Sequence, residues 1–313
     1  MSPVTNARVL FNEIPTGYPG PSTTIYDTSL KIDLENVPLE GGFLVKILVL
    51  SMDPYVRGRM RDPSDGNKGP PAFTLGEPMS NYGVGVILRS ESQAFKHGDH
   101  LYGQFPFQQY YVGKTATEFQ ILKNEVNLPW SAYVGVCGMP GQTAYHGWKE
   151  FAHPKKGDVV FVTAGSGPVG ATVIQLAKAE GLKVIASAST DAKVACYWDN
   201  VGGETLEAAL DGAAVGARFI ECGMMSIYNR ASYHIKNLVL IFAKQLHISG
   251  FIVSSLHHKY LEQFYREIPP KVASGEIKYK EDVKRGLEKT NEALIDAQFG
   301  RIHGKSVIIV AEE

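Results

Sequence analysis

Residues Asp158–Lys183 read DVVFVTAGSGPVGATVIQLAKAEGLK, and this stretch decides the fold of the second half of the chain. It opens on an apolar β-type run, Val159-Val160-Phe161-Val162. It turns through Gly165-Ser166-Gly167-Pro168-Val169-Gly170. Apolar residues then recur at helical spacing, Val173, Ile174, Leu176 and Ala177, until Gly181 ends the helix. A second apolar run follows, Val184-Ile185-Ala186. Strand, glycine turn, helix and strand in this order match a dinucleotide fingerprint. Glycines let the backbone turn tightly and approach a pyrophosphate, and the helix N-terminus presents free N–H groups to it. The alternative reading of the same residues is a tight strand-to-helix turn without a ligand.

Outward from this stretch the texture differs on the two sides. From about Val134 strands and helices alternate, which predicts a parallel sheet. The first ~125 residues carry short β-type runs between turn residues, the pattern of a compact β barrel or sandwich. These runs are Phe43–Val49, Gly83–Leu88 and Tyr110–Val112. Near the end, Ser306–Val310 is a last strand placed to return to the first domain. The expected domains are 1–128 (β), 129–274 (dinucleotide-binding) and 275–313 (return to the first).

At 313 residues and 44% hydrophobic composition, the chain can bury two cores. A net charge of −1 without basic runs argues against nucleic-acid or anionic-membrane binding. No 18-residue apolar span and no signal-like N-terminus is visible, so a cytoplasmic protein is expected. Cys137, Cys196 and Cys222 are scattered, suggest neither a disulfide framework nor a zinc site, and read as small buried hydrophobes.

Several further motifs carry a family resemblance. Ser51–Met60 (SMDPYVRGRM), Gly138–Gly147 (GMPGQTAYHG), Asp199–Glu204 (DNVGGE) and Cys222–Asn229 (CGMMSIYN) occur in order across almost the whole chain. The set resembles the zinc-independent, NADP-dependent alkenal and enone double-bond reductases. These form a branch of the medium-chain dehydrogenase/reductase family that includes leukotriene B4 12-hydroxydehydrogenase / prostaglandin reductase. The resemblance implies an α/β protein with a GroES-like β-barrel domain and a Rossmann doubly wound parallel-sheet domain. It implies a homodimer, NADP(H) as cofactor, and a small hydrophobic enal or enone as substrate. Gly165, Ser166, Gly167, Pro168, Val169 and Gly170 would cradle the pyrophosphate, and Lys193 would hold the 2′-phosphate. Met139, Thr143, Asn200, Phe251, Ile252 and Val253 would line the rest of the cofactor. So would Cys222, Gly223, Met224, Met225, Ser226, Ile227 and Tyr228.

The residues support the cofactor directly. NAD sites place an acid at the end of the second strand. Here that strand ends Ala186-Ser187-Ala188-Ser189, and Lys193 follows closely, although Asp191 lies between. Small hydroxylated residues and a cation suit a phosphate. No metal is expected: Gly76-Glu77-Pro78 stands where zinc-dependent relatives carry Gly-His-Glu, and no cysteine precedes Cys137. Without a Lewis acid, conjugate reduction is the natural chemistry, because a hydrogen bond to the enolate oxygen suffices. Candidate catalytic groups are the phenols of Tyr228, Tyr55 and Tyr82, with Tyr228 favoured by the resemblance. The final proton comes from Tyr228 or from water. Other readings are oxidation of a secondary allylic alcohol, quinone reduction, or a non-catalytic NADPH-binding protein. No histidine is assigned a role.

One departure from the family is large. After Lys193 its members continue through a helix, a third strand and another helix. Here Asp191–Val194 runs straight into Ala195–Asp199. Strand 2 must pass strand 1 to reach strand 4, about 10 Å sideways, and return about 17 Å along the sheet. The residues from Ala188 to Val194 span at most ~25 Å when taut, whereas parallel crossovers take about a dozen residues or more. A segment missing near 194–196 is therefore expected, with weaker NADPH binding if the deletion is real. A smaller departure puts Ile302 where the family carries an Asn near the cofactor.

Overall fold

The computed structural model describes residues 2–66, 69–186 and 194–313. The chain forms two compact units, Met1–Val134 with Glu281–Glu313, and Gly135–Lys280.

The first unit is built on a seven-stranded sheet. Its path runs Glu281–Arg285, Lys305–Ile309, Phe43–Met52, Ser80–Ser90, His100–Pro106, Phe119–Ile121, with Tyr110–Gly113 also on Phe43–Met52. The C-terminal strand Lys305–Ile309 lies antiparallel to Phe43–Met52, bringing the end of the chain back to the first unit. Phe43–Met52 is buried at every position but Lys46, which explains why its residues are otherwise almost all apolar. Phe43 packs edge-on against Phe95 at 4.9 Å, and Phe105 sits 4.8 Å from Phe119. Each such ring taken from water contributes roughly 1.5–3 kcal/mol. The turn Asp53–Met60 follows this buried strand directly and is fixed by it.

The second unit holds a five-stranded parallel sheet in the order Lys183–Ala186, Val159–Val162, Val194–Asp199, Ala213–Glu221, His247–Gly250. One face presents Val160, Val162, Cys196, Trp198 and Ile220. Ala144 and Trp148, from Met139–Gly147 and the turn after it, pack there with Val173 and Ala177 of the helix Pro168–Ala179. On the other face Tyr197 and Phe219 meet Leu206 and Leu210 of Gly203–Gly212. This is the strand–helix alternation expected from the sequence, and the α/β class with a β-rich companion unit holds.

The expected gap falls in an informative place. Val194–Asp199 is one continuous strand, although its register against the next strand shifts between Val194 and Cys196. Lys183–Ala186 is the sheet edge, and no described strand pairs beyond it. The third strand and its flanking helices thus have no counterpart among the described residues.

Candidate cofactor and active site

The glycine turn sits at the C-terminal end of Val159–Val162, where ligands bind in open α/β sheets. Ala164 takes φ +48°, and Gly167 N donates to Ala164 O at 3.0 Å, closing the turn. Pro168 occupies the first helical turn, where its missing N–H costs nothing. Gly170 is required for packing. A Cβ there would lie 2.5 Å from Ala164 O and 2.9 Å from Gly165 Cα, backbone atoms that cannot yield. Ser166 is exposed at the tip. An open glycine turn ahead of a 12-residue helix leaves free N–H groups suited to a diphosphate. Lys193, expected at the 2′-phosphate, lies outside the described residues.

A second wall stands beside the turn. Asp199 Oδ1 accepts from Val201 N at 2.8 Å and Gly202 N at 2.9 Å, shaping the Asp199–Gly203 turn. Cys222–Tyr228 docks on it: Cys222 N and Gly223 N donate to Asp199 O, Met225 N to Asn200 O, and Ser226 N to Val201 O. Gly202 and Gly203, both at positive φ, leave room for Met224 and Ser226, which a Cβ would strike at 2.9 Å. Met224, Met225 and Ile227 remain exposed, an apolar surface along the loop. The Tyr228 hydroxyl lies 3.5 Å from where a Gly223 Cβ would stand. A phenol is thereby held over the backbone at the end of the sheet.

Other expected cofactor residues are positioned differently. The Asn200 amide is engaged inside the protein: Nδ2 donates to Thr163 O at 2.7 Å, and Oδ1 accepts from Trp198 Nε1 at 3.2 Å. It ties the glycine turn to the Asp199 turn. The Phe251 ring packs on Trp198 and Phe151 in the core, at 6.0 and 5.6 Å, whereas Ile252 is exposed. Val253 opens the short turn that leads into His257–Ala273. Thr143 Oγ1 donates to Met139 O at 2.7 Å within the first helix of the unit. Burial pushes the Cys196 thiol up to about 11 and the Cys222 thiol up to about 12, so both stay protonated.

In the first unit Tyr55 and Tyr82 come together. Each feels the other's neighbourhood, and Gln104 reaches both hydroxyls. Tyr82 stacks on Tyr102 at 5.4 Å and 11°. Burial raises the pKa of both phenols, and Asp53 adds to the effect. The Tyr55 hydroxyl donates to Asn81 Oδ1 at 2.6 Å. Arg59 is locked under this region. It donates to Pro71 O, Ser80 O and Ser80 Oγ and lies 4.1 Å over the Phe73 ring. Asn81, Asp53 and Lys305 escaped the sequence reading; the only hint was Asp53 inside the DPY motif. Among the described residues no group of His, Cys, Asp or Glu is arranged to hold a metal ion. No described helix is long and apolar enough to cross a membrane.

One β-rich unit completed by the C-terminal strand, and a second unit whose parallel sheet carries a glycine turn at its switch point, define a two-domain dinucleotide-dependent oxidoreductase. Residues 8–121 match the family described as the N-terminal domain of oxidoreductase. The chain is 35% identical to a zinc-type alcohol dehydrogenase-like protein of Schizosaccharomyces pombe, over 95% of each chain. It is 34% identical to a 2-alkenal reductase (NADP(+)-dependent) of Nicotiana tabacum, over 99% of each. The structure of CurA from Vibrio vulnificus in complex with NADPH superposes with a TM-score of 0.85 at 26% identity, covering 98% of this chain and 100% of that one. The chain belongs to the zinc-independent alkenal/enone reductase branch of the medium-chain dehydrogenase/reductases. The alignments with the first two relatives run over 333 and 348 positions, more than the 313 residues here, so the relatives carry residues that this chain lacks.

Proposed function

We propose that this protein reduces the C=C bond of α,β-unsaturated aldehydes and ketones with NADPH. The observation that carries this is the pairing of an open glycine turn with the docked Cys222–Tyr228 loop, which sets a phenol at the same end of the sheet. When bound, the coenzyme supplies hydride to the β-carbon. The residues do the rest. The backbone N–H groups after Gly167 hold the diphosphate. Met224, Met225 and Ile227 offer apolar contact. Tyr228 donates a hydrogen bond to the carbonyl oxygen as it becomes an enolate, lowering the barrier where charge develops.

The same reading includes a segment lost between the second and fourth strands, with weaker NADPH binding than in full-length relatives. The exposed edge Lys183–Ala186 and the longer alignments of the relatives support it. It also includes a cytoplasmic homodimer. Val239, Phe242 and Ile252, exposed by 63%, 79% and 70% on either side of the edge strand His247–Gly250, support self-association. The deciding experiment is a turnover assay with an enone and its saturated secondary alcohol, each with NADP(H) and NAD(H). Enone reduction with NADPH is expected. Alcohol oxidation alone, or no turnover with tight NADPH binding, would refute the reading.

A further inference from the structure

Asp199, wholly buried, is bonded to each backbone segment of the coenzyme site in the second unit. Its carbonyl accepts from Cys222 N at 2.9 Å and Gly223 N at 3.2 Å, at the start of the Cys222–Tyr228 loop. Its Oδ1 accepts from Val201 N at 2.8 Å and Gly202 N at 2.9 Å, in the turn on which that loop docks. The same oxygen lies 3.1 Å from Thr163 Oγ1, next to the glycine turn. Its Oδ2 is buried without a hydrogen-bond partner.

Glu221 stands in register with Asp199 on the adjacent strand, and both of its carboxylate oxygens are likewise buried without a partner. The two carboxyl groups are within hydrogen-bonding reach of each other. The surroundings offer no compensating cation among the described residues. Asp199 supplies the charge that acts on Glu221. The sheet face here is covered by Leu206, Leu210, Ile235, Leu240 and Ile241. Glu204 and Glu207 of the covering helix act on Lys236 instead. The neighbouring strand brings only Gly250 opposite Glu221. Cys222 is held protonated, and the Tyr197 hydroxyl lies near Asp199. Even turned onto Asp199, that hydroxyl supplies nothing to Glu221.

Two ionised carboxylates side by side in the interior repel, whereas one proton between them makes a short, charge-assisted hydrogen bond. The proton belongs to Glu221. Asp199 already accepts backbone N–H groups, which favour its charged form, and Glu221 accepts none.

We propose that Glu221 is a positioning residue: as a carboxylic acid it donates its proton to Asp199 Oδ2, and this bond keeps the Cys222–Tyr228 loop seated for the coenzyme. The loop starts at the residue after Glu221, so a displaced Glu221 displaces the loop. Once the proton leaves, the two carboxylates push apart, and Cys222 N and Gly223 N are drawn off Asp199 O. Burial, then the Asp199 charge, lets Glu221 keep its proton up to about pH 8. Coenzyme affinity is therefore full at neutral pH and falls as pH rises through 8. The proposal rests on the reading of this loop as a wall of the coenzyme site.

The proton is located by infrared spectroscopy of the unliganded full chain labelled with ¹³C-glutamate. A protonated-carboxyl C=O band is expected at pH 7, fading as pH rises through 8 and missing from Glu221→Gln. Glu281, the other glutamate whose pKa burial raises, is told apart by Glu281→Gln. No band assignable to Glu221 overturns the proposal. The consequence is read by titrating NADPH fluorescence between pH 7 and 9, where the coenzyme's phosphates, with a pKa of about 6 or below, are already ionised. The dissociation constant of the unaltered protein should rise about three- to tenfold over that range. Glu221→Gln, whose amide still donates to Asp199, should bind within about threefold of the unaltered protein at pH 7 and stay flat to pH 9. Glu221→Leu, which leaves Asp199 Oδ2 without a donor, should bind more weakly already at pH 7. A flat profile in the unaltered protein, the same rise in Glu221→Gln, or equal losses in the Gln and Leu variants would each refute the positioning role. Failure to bind NADPH at any pH would refute the coenzyme reading, and the infrared band would still decide where the proton lies.

Discussion

Asp199 and Glu221 face each other across adjacent parallel strands, and Asp199 Oδ2 and both Glu221 oxygens are buried without a hydrogen-bond partner. Asp199 Oδ1 is meanwhile occupied by the turn that carries Gly202. Burial, then the Asp199 charge, pushes the Glu221 carboxyl up to about 8 from its ordinary value of 4.5. A proton held more tightly in the folded state stabilises it fully below 4.5, and this contribution is lost as pH rises through 8. Thermal denaturation from pH 5 to 9 should show falling stability, at most about 1.4 kcal/mol per pH unit from this group. Glu221→Gln should flatten that decline and melt higher than the unaltered protein at pH 9.

The opposite sign is expected at His146. It is fully buried among Tyr145, Tyr260, Phe264 and His257. Burial, then His257, holds its pKa down at about 4 against an ordinary 6.5. The neutral ring belongs to the folded state, so its contribution is present above 6.5 and is lost as pH falls through 4. His146→Phe keeps an aromatic ring but removes the titration. Acid unfolding followed by circular dichroism should move to lower pH in that variant.

Gly170→Ala should weaken coenzyme binding without touching the coenzyme. The added methyl would stand 2.5 Å from Ala164 O. The helix must then move off the strand end that the glycine turn spans. Overpacking of this kind costs about 1–3 kcal/mol. A rise in the NADPH dissociation constant of roughly tenfold or more is expected, measured by titrating NADPH fluorescence.

The parts of the site that were legible in the sequence are those made by local backbone. Gly165–Gly170 could be read because turn, helix start and close packing are decided within a few residues. The Cys222–Tyr228 loop was readable only through its motif. The Asn81–Asp53 contact joins residues 28 apart, and Lys305 reaches Met52 across 253. No periodicity encodes such contacts. Glu221 ends the strand Ala213–Glu221, and its meaning appears only when Asp199 arrives beside it. The resemblance implies a cofactor role for Asn200 and Phe251; in the fold the Asn200 amide bonds Thr163 and Trp198, and Phe251 packs against the sheet core. Side-chain direction at the end of a strand depends on its neighbours in the sheet.

Removing Lys305 alone should be worse than removing its partner with it. Lys305→Met leaves the Asp53 carboxylate buried without its counter-charge, which costs about 3–5 kcal/mol. Adding Asp53→Asn removes both charges and keeps their volumes, and should recover a large share of that loss. Urea denaturation of the two single variants and the pair gives the coupling. Equal, additive losses would show that the contact at 3.2 Å carries no interaction energy.

Tyr228→Phe is the sharpest check on the chemistry. The Tyr228 hydroxyl is held near Gly223 by a loop with four backbone hydrogen bonds to Asp199, Asn200 and Val201, and losing one oxygen does not disturb that docking. Coenzyme affinity and melting temperature should therefore change little. Loss of a preorganised donor to a developing oxyanion costs about 10²–10³ in kcat. Such a fall, with NADPH binding intact, is expected for enone reduction followed at 340 nm. A variant that keeps kcat would move the donor to another group.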